Sequence, residues 1–196
     1  MEARAAWRAA LAKVEPRRLV FLDETGVDTR MARAYGRAAK GRRAAGKVPW
    51  GRWRRLTVLG ALAAEGALAA EGALATVSIA AATSTAVFLA FVEQVLAPAL
   101  RGRPDAVVVM DDLAAHKGEA VRHALDRAGI SYRYLPARSP DLNPIEPCWS
   151  KLKGQLRAKA ARSREALEAE LGPALAALTA RDARSWFRLA GYPAPN

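Results

Sequence analysis

Apolar residues in this chain repeat with two different periods, and the period changes at charged or turn-forming residues. Residues 18–23 (RLVFLD), 55–63 (RLTVLGALA), 73–81, 106–110 (AVVVM) and 131–135 (SYRYL) are short and rich in apolar or β-branched side chains. They predict strands. AVVVM has no polar interruption, which places it centrally in a sheet. Elsewhere the spacing is helical. Val87, Phe88, Phe91, Val92 and Val95 form a stripe over residues 85–97, with Thr83 or Ser84 as cap and Pro98 as terminator. Residues 1–16 predict a short helix closed by Pro16, and residues 117–128 a helix stopped by Gly129. From Asn143 to about Lys159 the apolar positions Trp149, Leu152 and Leu156 share one face, and one or two helices follow. After the first helix the order is three strands, helix, strand, helix, strand, helix. That predicts an α/β fold, a mixed sheet flanked by helices.

A chain of 196 residues suits one compact domain. AEGALA occupies 64–69 and recurs at 70–75. Two copies are too few for a solenoid. The second copy is expected to lengthen the hairpin formed by 55–63 and 73–81 or to bulge from its tip, as a tolerated insertion.

Charge changes the picture. Thirty-one Lys and Arg face nineteen Asp and Glu, for a net charge of +12. Ten of those cations fall within residues 29–64, which hold no acid. Tyr35, Trp50 and Trp53 are interleaved with them. One reading is a solvated loop whose tryptophans plug the edge of the core. The favoured reading is a DNA-backbone surface, since no acid offsets the charge. Its candidate phosphate contacts are Arg37, Lys40, Arg42, Arg43, Arg52 and Arg54. The lone Cys148 excludes an internal disulfide, and two histidines are too few for a His-rich zinc site. The charged N-terminus does not look like a signal peptide, and no apolar run approaches the roughly 20 residues of a bilayer span. The expected setting is cytoplasmic, with no membrane partner.

Three acids stand in contexts that suit one chemistry. Asp23 ends the strand RLVFLD, Asp111 ends AVVVM, and Glu146 opens a helix in SPDLNPIEPCW, with 34 residues between the last two. Each has an ordinary explanation. Aspartates commonly end strands. Asp111 and its neighbour Asp112 need a positive partner, which Lys117 could supply as well as a metal ion. Glu146 falls three residues after Asn143, the spacing of a capping box. His116 could approach Asp111 or simply cap the next helix. Alternation sends Asp23 and Glu24 to opposite faces, so Asp23 is the candidate. Ser150, Lys153 and Arg157 continue the face of Glu146, away from the apolar side. A carboxylate followed by cations suits a metal beside a DNA backbone, with Lys153 and Arg157 on phosphates.

Taken together, FLDETG, MARAYGRAAKGRR, VPWGRWRRLTVLGAL, VVVMDDLAAHKG, YLPARSPDLNPIEPCWSKLK and WFRLAGY resemble the DDE transposases of the mariner superfamily, in its bacterial insertion-sequence branch. The resemblance covers nearly the whole chain. It implies a ribonuclease-H-like fold, with a five-stranded mixed sheet and the first Asp on its first strand. It implies Asp23, Asp111 and Glu146 as catalytic, metal-binding residues, while Asp112 and His116 are candidates to support them on their position next to Asp111 alone. It implies Mg²⁺ or Mn²⁺, two ions, and cleavage and strand transfer of double-stranded DNA at element ends and target. The family often carries Asn where this chain has Asp112. Its N-terminal helix-turn-helix domains have no counterpart here, so residues 1–196 are expected to be one catalytic domain. A homodimer and a separately encoded DNA-binding half are the expected protein partners, and the nucleoid the expected location. Two other readings stay open. One is a metal-dependent nuclease of the same fold, and the other a DNA-binding remnant without catalysis.

Overall fold

The computed structural model describes residues 2–11, 13–64, 75–80 and 82–193. Five strands form one sheet in the order β3-β2-β1-β4-β5. They are β1 (Leu19–Asp28), β2 (Arg55–Ala63), β3 (Ala75–Ile79), β4 (Val107–Met110) and β5 (Ser131–Tyr134). β1–β2 and β2–β3 pair antiparallel, while β1–β4 and β4–β5 pair parallel. This is the mixed ribonuclease-H-like sheet that the resemblance implies. AVVVM does lie inside the sheet, between β1 and β5.

Strand alternation splits the core in two. Leu19, Phe21, Val58 and Val109 face one layer, made of α1 (Glu2–Leu11), α5 (Ile145–Lys159), α6 (Arg164–Ala176) and α7 (Ala180–Leu189). Val20, Leu22, Leu59, Val108 and Met110 face the other, made of α2 (Thr85–Phe91), α3 (Ala97–Leu100) and α4 (Glu119–Arg127). Among the described residues no helix is long and apolar enough to cross a membrane.

Several boundaries differ from the sequence expectation. β1 continues five residues past Asp23, because β2 offers a partner to every position from Val20 to Asp28. Pairing thus extends the strand beyond its apolar run. Pro16 opens a 3-10 turn instead of closing a helix. Pro98 does not end the helix either. The backbone stays helical through it: a π turn over Val92–Leu96, with the Ala97 N–H on the Val92 carbonyl, shifts the hydrogen-bond ladder just before Pro98. Ser84, not Thr83, caps α2, accepting from the Val87 N–H. The expected strand 73–81 is seen as Ala75–Ile79, and most of the AEGALA repeat lies outside the described residues.

Both ends of the chain hold the loop that precedes α5. Arg4 forks onto Asp141 and also donates to Ser139 Oγ at 3.3 Å. Tyr192 donates to the Leu142 carbonyl at 2.8 Å and accepts from Trp7 Nε1 at 3.1 Å. Below that loop, Gly60 lies directly across from Asp23 in the β1–β2 register. A Cβ at Gly60 would stand 2.7 Å from Trp149 Cη2. The missing side chain lets the indole of α5 approach the sheet closely beside Asp23. Gly60→Ala should therefore push α5 off the sheet and cost about 1–3 kcal/mol, as overpacking typically does. Urea unfolding followed by tryptophan fluorescence checks this, and an unchanged midpoint would show that Trp149 gives way freely.

Candidate active site

Asp23, Asp111 and Glu146 line one open cleft of about 320 Å³, together with Asp112, Arg138 and Asn143. Three elements deliver the acids. Asp23 is held inside β1 and is 8% exposed. Asp111 follows the last residue of β4. Glu146 stands exposed in the first turn of α5. The sheet places the first two side by side because β1 and β4 run parallel in register, Leu19 beside Val107.

The capping explanation for Glu146 fails on geometry. Pro144 holds the N-cap position of α5 without a side-chain cap, and Asn143 just before it accepts at Oδ1 from the Ile145 N–H at 3.4 Å. A capping box would need the Asn143 N–H to be free for Glu146. That N–H instead donates to the Pro140 carbonyl at 3.0 Å. Glu146 is left to face the cleft.

Asp23 is the strained member. Burial pushes its carboxyl up to about 7, and the charges of Glu146 and Asp111 add to the rise. The Glu24 N–H, 2.8 Å from Oδ1, offsets part of it. Trp149 offsets a little more, although its buried Nε1 makes no hydrogen bond of normal geometry. Asn143 Nδ2 donates to the second oxygen at 3.4 Å. Thus one asparagine both starts α5 and steadies Asp23. The sequence shows Asn143 only as a cap, and nothing in its spacing marks the second role.

The two neighbouring aspartates divide their partners. Asp112 pairs with Lys117, the ordinary ion pair. Asp111 Oδ1 instead lies 2.6 Å from Nδ1 of His116. His116 is neither a surface residue nor a helix cap. It is wholly buried and stacks on Phe88 with ring centres 4.1 Å apart. Cys148 is no nucleophile: burial pushes its thiol up to about 12.

The basic candidates lie elsewhere. Arg37, Lys40, Arg42, Arg43, Arg52 and Arg54 are exposed on the segment 29–54 between β1 and β2. Its neck is closed by the Thr29 N–H on the Arg54 carbonyl and the Arg54 N–H on Thr29 Oγ1, both 3.1 Å. Tyr35 and Trp50 are almost fully exposed, so they do not plug the core. Trp53 carries Arg30 stacked at 3.6 Å. Arg157 joins Trp50 and Trp53 in a second groove, away from the acids, and Lys153 is half-buried on α5. Among the residues lining the acidic cleft, Arg138 carries the positive charge. Its backbone is left-handed, φ 56°, which is uncommon outside glycine. Sequence reasoning missed it, because a single Arg in a Pro-rich loop has no distinguishing pattern.

A family profile described as DDE superfamily endonuclease matches residues 18–168. The chain belongs to that family. No curated protein matches this DDE endonuclease in sequence. Among solved structures it is similar to the Mos1 transposase paired-end complex with left transposon end, with 18% identity and a TM-score of 0.76 over 95% of this chain. The Mos1 mariner paired-end complex with Mn gives 18% identity and 0.74 over 96% of this chain and 57% of that one. The catalytic domain of Mos1 mariner transposase gives 16% identity and 0.70 over 96% of this chain and 85% of that domain. The shared property is the fold. The DDE endonuclease spans 56% of the Mos1 chain in the first of these complexes.

Among the described residues no group of three or more His, Cys, Asp or Glu side chains stands close enough to hold a metal ion. The donor set nonetheless fits a hard divalent cation. All three acids offer hard carboxylate oxygens, and the charges of Glu146 and Asp111 both act on Asp23, adding to a rise that burial dominates.

The Asp23 rise has a direct consequence for the metal-free protein. Below about pH 3.8 Asp23 is protonated whether folded or unfolded, so it costs nothing. As pH climbs towards 7 the unfolded chain is ionised and the folded one is not, and stability falls through that window. The rise from 3.8 to about 7 corresponds to about 4 kcal/mol, fully lost above pH 7. Asp23→Asn should therefore be more stable than the native protein at pH 8 and equal to it near pH 3.5. Thermal melts in EDTA at both values check this, and equal melts at pH 8 would refute it.

Proposed function

We propose that this chain is the catalytic core of a transposase, cutting DNA phosphodiesters and joining a 3′-hydroxyl end to target DNA. The observation that carries this is the meeting of Asp23, Asp111 and Glu146 in one open cleft on a ribonuclease-H-like sheet. Family membership and the fold shared with Mos1 support it. Mos1 is solved with transposon-end DNA and with Mn, which favours the same substrate and metal class here.

Asp23, Asp111 and Glu146 would hold two divalent ions, Mg²⁺ or Mn²⁺, which supply activation of the attacking oxygen and charge relief at the leaving 3′ oxygen. The remaining work belongs to the chain. Asn143 and the Glu24 N–H keep the Asp23 oxygens directed. Arg138 meets the phosphate that enters between the acids. Thr29 and Arg54 hold the neck of the basic arm, whose cations track the backbone without reading bases. No protein nucleophile is needed, consistent with the inert Cys148. The proposed partners are element-end and target DNA, a second copy of the chain, and a separately encoded DNA-binding half. The proposed setting is the bacterial nucleoid.

The test is a strand-transfer assay with a duplex carrying the flanking element's end and a free 3′-hydroxyl. Joined product should appear with Mg²⁺ or Mn²⁺ and vanish with EDTA. Asp111→Ala and Glu146→Ala should each lower it more than about a hundredfold, beyond the usual effect of residues that merely support a metal ligand. Nicking without joining would make the chain a simple nuclease. DNA binding without cleavage in either metal would make it a non-catalytic remnant.

A further inference from the structure

Beneath the cleft lie three buried polar atoms that make no hydrogen bond among the described residues: Glu24 Oε2, His116 Nδ1 and His116 Nε2. They are close together. His116 Nδ1 stands 2.6 Å from Asp111 Oδ1, near but off hydrogen-bond alignment. His116 Nε2 stands 4.0 Å from Glu24 Oε2. Unsatisfied buried polar atoms are rare in folded proteins and call for a reason.

The ring is fixed on its other sides. It stacks on Phe88 at 4.1 Å with a 31° tilt. The His116 N–H donates to the Leu113 carbonyl at 3.1 Å, and its carbonyl accepts from the Tyr134 hydroxyl at 3.2 Å. Two residues on, Gly118 passes so close to α2 that a Cβ would stand 2.7 Å from Thr85 Cγ2. Packing alone therefore holds the imidazole in place. It does not explain why both ring nitrogens point at carboxylates.

Alternation along β1 supplies the explanation. Asp23 faces the α5 layer and enters the cleft directly. Glu24 faces the α2 layer, where it meets His116 and through it the end of β4. Asp111 has little else to define its orientation, with its side chain 35% exposed and the Leu113 N–H 3.3 Å from Oδ1. Both the Leu113 and His116 contacts fall on Oδ1, which leaves Oδ2 for the cleft.

We propose that Glu24 is a positioning residue: it orients His116, and His116 orients Asp111 for the metal. The proposal rests on reading Asp111 as a metal-binding carboxylate. Residues that orient a metal ligand typically change affinity by about 10–100-fold.

The test is Mn²⁺ binding by isothermal titration calorimetry on the full chain without DNA, each variant's fold being checked by its melting temperature. Glu24→Ala should weaken Mn²⁺ binding about tenfold, and Glu24→Gln, which keeps an acceptor, should weaken it less. His116→Asn retains a nitrogen near the Nδ1 position and should bind better than His116→Phe, which keeps only the packing. Glu24→Ala should add nothing in the His116→Phe background, because the two act in series. Should His116→Phe not fold, the same comparison is made in His116→Asn. Unchanged affinity in Glu24→Ala, or additive losses in the double variant, would overturn the proposal while leaving the metal reading intact. If the native protein bound Mn²⁺ no better than Asp111→Ala, the metal reading itself would fall and this inference with it.

Discussion

An acid carried inside a β-sheet is expensive to ionise, and this fold is organised around one. Asp23 sits in the strand that pairs with both β2 and β4, so it has no route to solvent except the cleft. Water that would have solvated it is replaced by one backbone N–H, one asparagine amide and a nearby indole. Those groups do not suffice, since its carboxyl remains well above the ordinary carboxylate range. The metal-free site is thus a place where charge is wanted and missing. Stability has been given up locally, as at many functional sites, and the two hydrophobic layers must outweigh the loss.

The rest of the architecture follows from keeping that site assembled. Glu146 comes from a helix, so α5 must dock at one height and rotation relative to β1. Gly60 allows the closest approach, Trp149 fills it, and Asn143 ties the helix start to Asp23 itself. The preceding loop is anchored from both chain ends by Arg4 and Tyr192. Contacts between 50 and 137 residues apart in sequence converge on a few ångströms of backbone. None of the site's parts is positioned by local structure alone.

Much of this was legible in the sequence, and the division is physical. Apolar period and turn residues located all five strands, because burial and pleating act on neighbouring residues. The three acids stood out because each ends an apolar run or opens a helix, although pairing with β2 carries β1 past Asp23. What was not legible depends on partners distant in sequence. β1 runs on to Asp28 because β2 pairs with it. Pro98 is accommodated because an upstream π-turn changes the ladder. His116, left between a surface cap and a site residue, proved to be a buried one because Phe88 covers it. Alternation correctly sent Glu24 away from Asp23, and on the opposite face Glu24 lies against His116. A side chain from the opposite face reaches the site through an intermediary.

Charge poses the remaining problem. Three carboxylates face a cleft that, on the proposed function, must admit a phosphodiester, and like charges repel at that range. The net charge of +12 does not resolve this by itself, because ten of the cations lie within residues 29–64. Surface cations on the arm raise the local concentration of DNA but are screened over about 8–10 Å of saline. Within the cleft only Arg138 opposes the acids, and it does so from a strained backbone. On the proposed function, binding and chemistry would be separated in this molecule. The arm would retain DNA under conditions in which the cleft rejects it, and only the uptake of cations by the acids would let the backbone descend to the sheet. Metal dependence would then be a property of engagement as much as of bond breaking, because the negative charge lies inside and the positive charge on an arm.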